Sequence, residues 1–256
     1  MSLVFAIAVL VAVAAPAVPL PPVVAAAVAV PAAQETPRAR LDAAIKAARE
    51  AETLTYRYAL KTEIPMSDPF EANGRGVTGP ERLLFLDVKG TGGIDKKMIV
   101  TPRGTLIWHA FLDDWVTAEE YGDPDAGRGF QNPHDLLEVI AGATAGATDG
   151  EGGAVRLRFE GKAAIDLLGK LQIDARRLDA DGTWSEMNVS FDGGRIKSLH
   201  SNAHINFVED PNAAQQIDSF EYDVKVDVDA YDRDKKPSWE GIDVDAALKS
   251  LAAPKK

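Results

Sequence analysis

The sequence predicts an α+β fold, a strongly curved antiparallel sheet (a half-open β-barrel) covered on its concave face by two or three helices. Three observations carry this. Strand-like segments come in blocks, about four and then about five, and do not alternate one-to-one with helices, which argues against a parallel doubly wound sheet. Several of these segments alternate strictly between apolar and polar residues, so one sheet face is apolar and the other wet. The few helices cannot form a layer of their own and must cover the apolar face.

Taken in order, a helix is expected from about Arg38 to Glu52, with Ala44, Ile45, Ala48 and Ala51 on one face. The period then changes to two. In Thr53 to Thr62, Leu54, Tyr56, Tyr58 and Leu60 alternate with Thr55, Arg57, Ala59 and Lys61. Strands are then expected at Arg82 to Val88, Lys97 to Thr101 and Thr105 to Phe111. The last two form a hairpin across Pro102-Arg103-Gly104. A further short strand is expected at Asp113 to Thr117, and a Gly/Asp loop at about Gly122 to Gln131. Asn132 as N-cap, Pro133 in the first helical position and Asp135 in the first turn then predict a helix with Leu136, Leu137 and Ile140 as its apolar residues. Ala143 to Gly153 reads as a loop, Val155 to Glu160 as a strand, Ala163 to Gly169 as a short helix and Leu171 to Leu178 as a strand. Asp179 to Gly182 reads as a turn. Thr183 to Phe191 and Arg195 to Phe207 pair across Asp192-Gly193-Gly194, and Ser219 to Ala230 is the cleanest alternating strand.

The first residues carry a different signal. Leu3 to Ala15 is an unbroken apolar run, too short for the roughly 20 residues of a spanning helix, and Pro16, Pro19, Pro21 and Pro22 keep it from extending. That is the pattern of a secretory leader, although no Lys or Arg precedes it, so a retained anchor is the competing expectation. The expected organisation is a signal peptide over 1–33 and one domain over 34–256, ending in a polar tail from about 232. The expected location is outside the cytoplasm, periplasmic or extracellular.

Catalytic and metal-binding patterns are mostly excluded. The chain has 256 residues, no cysteine and a net charge of −11, so thiol chemistry and disulfides are ruled out and nucleic acid is a poor partner. Gly74-Arg75-Gly76-Val77-Thr78-Gly79 spells G-x-G-x-x-G, but Pro80 and a strand come next where a dinucleotide site needs a helix, so the stretch reads as a loop. His200 and His204 have helical metal-ligand spacing yet lie on a strand, where four residues separate them by roughly 13 Å. The acidic run Asp227, Asp229, Asp232, Asp234 fails the EF-hand pattern. No metal, no cofactor and no enzymatic activity are expected.

A resemblance completes the reading. The leader, the helix feeding TLTYRYALKTEI, the hairpin MIVTPRGTLIW with Trp108 and nearby Trp115, the mid-chain NPHDLLEVI and the late TWSEMNVSFDGGRIKSLH together resemble the LolA/LolB-like lipoprotein-localisation carriers and their mycobacterial acyl-binding lipoprotein relatives, over about Arg38 to Tyr231. The lipobox cysteine is missing. The resemblance implies an apolar cavity between curved sheet and helices that binds the acyl chains of lipid or lipoprotein. The competing expectations are an envelope sensor acting through a protein partner, and a structural secreted protein with a solid core. From the one-sided strands, the expected lining is Leu54, Tyr56, Tyr58, Leu84, Leu86, Trp108, Val155, Leu157, Phe159, Met187, Val189, Phe220, Tyr222 and Val224, under a lid formed by the helices near Ala44 and Leu137. Over Arg82 to Val88 the alternation leaves open whether Leu84 and Leu86 or Leu83 and Phe85 point inward.

Overall fold

The structure is a computed structural model that describes residues 35–65, 67–79, 83–124, 126, 133–142, 146–170, 177–208, 218–233 and 235–252. The expected leader over 1–33 lies outside the described residues, as do Asn132 and most of the segment expected as a strand at Leu171 to Leu178.

The first helix, α1 (Pro37–Glu50), begins where its sequence says it should. Thr36 is the N-cap, its side chain accepting from the Ala39 amide at 3.2 Å, and Pro37 occupies the first turn. Leu41, Ala44, Ile45 and Ala48 form its buried stripe. Ala51 turns extended and the chain enters β1 (Leu54–Glu63). Then come β2 (Phe70–Thr78), β3 (Leu84–Gly90), β4 (Ile94–Thr101), β5 (Gly104–His109) and β6 (Asp114–Thr117). Next are two short helices, α2 (Ala118–Tyr121), closed by a Thr117/Glu120 capping box, and α3 (Pro133–Ala141). The second half runs β7 (Thr148–Asp149), β8 (Val155–Glu160), α4 (Lys162–Lys170), β9 (Leu178–Asp192), β10 (Arg195–Phe207), β11 (Ser219–Tyr231) and α5 (Val244–Ala252).

All the strands belong to one sheet, in the order β6-β5-β4-β3-β2-β1-β11-β10-β9-β8-β7. Each half of the chain is an antiparallel meander, and the first strand pairs with the last to join the two. The edges β6 and β7 do not meet, so the sheet stays open, as the predicted fold class requires. Register aligns apolar residues across strands. Leu157 stands opposite Met187, Met187 opposite Ser201, Ser201 opposite Val224, Val224 opposite Leu60 and Leu60 opposite Ala72. One rung away, Val155, Val189, Leu199, Val226 and Tyr58 form the parallel row. These rows and the buried stripes of α1 and α3 make the main core.

Three expectations needed correction. The glycine stretch at Gly74 to Gly79 is not a loop: Gly74 and Gly76 lie inside β2. Register sets Gly76 against Tyr56 and Gly74 against Tyr58, and a Cβ on Gly76 would fall inside the Tyr56 ring. Both are strand positions kept free of a Cβ, Gly76 for the Tyr56 ring and Gly74 for the close approach of the Asp87 carbonyl of β3, a local device that propensity reads as a turn. Asp179 to Gly182 is likewise not a separate turn but part of β9, where Gly182 has φ 76° and the β9–β10 register shifts. The stretch expected as a polar tail carries α5, which buries Val244 and Ala247 against Val77, Phe85, Ile99 and Leu106 on the opposite sheet face. Apolar residues at 244, 247 and 248 have helical spacing, and this small stripe suffices to dock.

Candidate functional site: the helix-covered face of the sheet

The residues of β1, β8, β9 and β11 reach this face through their period-two alternation. Leu54, Tyr56, Tyr58, Val155, Leu157, Phe159, Met187 and Val189 are all buried there. In β3 both faces are used. Leu84 and Leu86 join the main core, while Phe85 joins the opposite cluster together with half-buried Leu83. This resolves the alternation that the sequence left open. Val224 is half-buried on the same face, and Phe220 and Tyr222 pack with Leu168, Ala203 and Ile205 at the end covered by α4.

Trp108 stands apart. Ile107 points into the main core, so Trp108 points to the other side, edge-to-face with Trp115 at 5.5 Å between ring centroids. Trp115 in turn packs with Trp239 beside α5, and its indole N–H donates to the Asp243 carbonyl at 3.1 Å. The structure therefore brings thirteen of the fourteen expected residues to one face, with Trp108 outside it. The apolar pair Trp/Ile at 107–108 has no polar alternation to orient it, which is why the sequence alone misassigned the ring. Residues not singled out by sequence also line this face: Leu199, Ala203 and Ile205 from β10, Val226 and Val228 from β11, and Ala72 from β2. The alternation of Leu199 and Ile205 against His200 and His204 was the available signal.

Cover is uneven across the face. α1 packs over β10, β8 and β7 and against α3, and there the row from Leu157 to Ser201 is closed. Toward the end of the sheet formed by the end of β1 and the starts of β2 and β4, the same face holds Leu60, Phe70, Ile94 and Val224, all only half-buried, beside the Phe220 and Tyr222 that α4 covers. Lys96 sits at that margin, its ammonium 2.6 Å from the Asp123 carboxylate and 5.2 Å from the Tyr121 ring centroid.

The electrostatics of the covered face are those of a low-dielectric interior. Among the described residues no Asp, Glu, Lys, Arg or His is fully buried. The polar side chains buried there include the hydroxyls of Tyr56, Ser185 and Ser201, and the Tyr56 and Ser185 oxygens have no hydrogen-bond partner among the described residues. Burial pushes the Tyr56 hydroxyl well above its ordinary pKa, with a further push from neighbouring Tyr58, and lifts Tyr222 to about 12. Tyr58 is also raised, by burial first and by the Asp87 charge second.

The outer face is the reverse. His200 pairs with Asp223 at 2.7 Å and His204 with Glu221 at 2.5 Å, each across to β11, and Arg156 and Arg158 both bond Glu186. Burial of Glu186 works against its ionisation, yet the bonds from Arg156, Asn188 and Arg158 hold its carboxyl below the usual range. A shallow polar groove of about 540 Å³ lies between Asp149, Glu151, Arg156, Glu186, Asn188 and His200. The histidines expected to be too far apart for one metal ion sit in separate carboxylate pairs, and no group of three or more metal-ligating side chains occurs among the described residues. The side chain of His134 lies outside the described residues. Among the described residues no helix is long and apolar enough to cross a membrane.

No protein-family model matches the chain, and no curated protein matches it. Solved structures do. The chain is similar to the lipoprotein LppX of Mycobacterium tuberculosis, with a TM-score of 0.36 and 10% identity over 79% of this chain and 98% of that one. It is similar to a LolA-superfamily protein of Nitrosomonas europaea, with a TM-score of 0.32 and 6% identity over 80% and 96% of the two chains. A DUF1329-family protein from Desulfovibrio piger is matched at a TM-score of 0.23 and 11% identity, over 83% and 99%. These likenesses carry no weight about ligand or role, which rest on this chain's own residues.

Proposed function

We propose that this chain is an extracytoplasmic binder or carrier of the acyl chains of lipid or lipoprotein, held between the sheet and its covering helices. One observation carries the reading. The apolar face is sealed under α1 on the β8–β10 side but only half-buried across Leu60, Phe70, Ile94 and Val224, which leaves apolar surface in water where β1 ends. Leaving such a surface in water is costly, and an acyl chain laid along it removes apolar area at about 25 cal/mol per Å². Of the expected residues, Val224 lies on this opening and is proposed to touch the acyl chain; the others except Trp108 line the covered face behind it. The isolated hydroxyls and neutral tyrosines suit an uncharged chain and, among the described residues, offer no converging acid and base, which supports a non-enzymatic role. The apolar leader supports export, and its removal near Val30 or Ala33 belongs to the same proposal.

Native mass spectrometry of the chain recovered from its own source, followed by lipid extraction, tests this. The expected result is a discrete added mass that extraction recovers as an acyl lipid. A bare polypeptide mass, together with no stoichiometric binding of a fatty acid to the purified chain, would sink the proposal.

A further inference from the structure

The hairpin joining β5 to β6 ends in a four-residue turn, Ala110 to Asp113, whose two apolar side chains point into solvent: Phe111 is 91% exposed and Leu112 57%. The turn is held in this form. The Leu112 amide donates to the His109 carbonyl at 3.0 Å and to the His109 ring Nδ1 at 3.2 Å, and Asp113 takes the left-handed φ of 51° that non-glycine residues adopt rarely. On the second rung behind the tip, past His109 and Asp114, Trp108 and Trp115 pair across the hairpin and are only half-buried. We propose that this tip inserts into the surface of an uncharged lipid bilayer.

Three features select that partner. Two side chains on a tight turn offer far less than the roughly 1,000 Å² that a stable protein interface buries, but a phenyl and an isobutyl group suit a fluid apolar medium that closes around them. Paired tryptophans set just behind an apolar tip occupy the level at which such rings sit in a membrane interface. The charge excludes an anionic surface. From Gly104 to Gly122 there is no Lys or Arg, while Asp113, Asp114, Glu119 and Glu120 flank the tip, so acidic headgroups would repel it. Register then gives the insertion a purpose. β4 is the hairpin's neighbour, antiparallel to β5, and β4 begins with Ile94 of the half-buried apolar opening at the end where β5 runs into the tip. A tip anchored in lipid would bring that opening toward the bilayer. This purpose rests on the carrier reading; the insertion itself does not.

The test uses the full chain carrying Phe111→Trp, an exposed site that tolerates the ring, so that the added indole reports on the tip however the rest of the chain, including its apolar leader, associates with the vesicles. With phosphatidylcholine vesicles the added emission should shift to the blue and be quenched when the acyl chains are brominated. With phosphatidylglycerol vesicles at low salt the effect should be weaker. An added indole that stays unquenched while the chain sediments with phosphatidylcholine vesicles, one that responds more strongly to phosphatidylglycerol, or one that shifts with protein concentration in the absence of lipid, marking a second copy as the cover, would each overturn the proposal. Fatty-acid binding is measured in parallel on Phe111→Ser/Leu112→Ser, which leaves the covered face untouched and should bind as the parent does. Insertion without fatty-acid binding by the parent would remove the carrier reading and leave the tip; fatty-acid binding without insertion would remove the tip and leave the carrier.

Discussion

At the scale of single residues, the tyrosines of the covered face show how it treats charge. Tyr222 lies on β11 among Phe220, Ala203 and Ile205, and desolvation lifts its hydroxyl to about 12 from the ordinary 10.0. Tyr56 shifts the same way for the same reason. Proton counting sets the sign of the effect on stability. Above pH 10 the unfolded chain loses the tyrosine proton while the folded chain keeps it, so the unfolded state binds fewer protons and gains stability relative to the folded one. The contribution is complete below about pH 10 and is lost as pH rises toward 12. Urea unfolding midpoints should therefore stay level up to about pH 9.5 and fall beyond it. Tyr222→Phe should flatten part of that fall. Phenolate absorbance of the folded protein that showed all five tyrosines ionising near 10 would contradict the burial described.

At the scale of elements, β2 separates what the sequence shows from what it hides. Elements with clean periodicity were legible. α1, β1, the β4–β5 hairpin, β8, the β9–β10 hairpin and β11 fall within a few residues of their expected bounds, because each buries a single stripe or face that its own spacing reveals. β2 was not legible, because its inward positions 74 and 76 are glycines whose Cβ space is taken by neighbouring strands, at 76 by the Tyr56 ring of β1 and at 74 by the Asp87 carbonyl of β3; these contacts cannot be seen in β2 itself. α5 was missed for the related reason that its partner surface, Phe85, Ile99 and Leu106, is on strands far away in sequence. The covered face was largely legible for the same strands as the fold, and Trp108 failed where two apolar neighbours remove the alternation. The β2 account makes a definite prediction. Gly76→Ala should cost about 1–3 kcal/mol through overpacking against the Tyr56 ring, although alanine is ordinarily the better strand residue of the two. Pairing it with Tyr56→Leu, which withdraws the ring, should recover part of that loss. Urea denaturation of the two single variants and the double variant measures the coupling, and additivity between them would mean that the ring does not hold the glycine in place.

At the scale of the whole molecule, the open sheet raises a choice between a face that is packed and one that receives a guest. The eleven strands present more apolar surface than α1, α3 and α4 cover evenly, since the β8–β10 side is sealed and the neighbourhood of Val224 is not. Charge cannot discriminate the two cases, because Leu157→Glu would destabilise either one. Added volume can. Val224 stands opposite Leu60 on one side and Ser201 on the other, and it is half-buried. In a filled interior Val224→Phe forces its neighbours apart and costs roughly 1–3 kcal/mol. In a space kept for a ligand the phenyl ring occupies the ligand's place, leaving stability within about 0.5 kcal/mol of the parent while fatty-acid binding falls at least about tenfold. Ala59→Phe is the control, since Ala59 is exposed on the outer face beside Asn73 and Lys225 and should change neither quantity. The carrier reading expects binding to fall and stability to hold in Val224→Phe; a large loss of stability, with no apolar probe bound by the parent, would assign the face to a packed core.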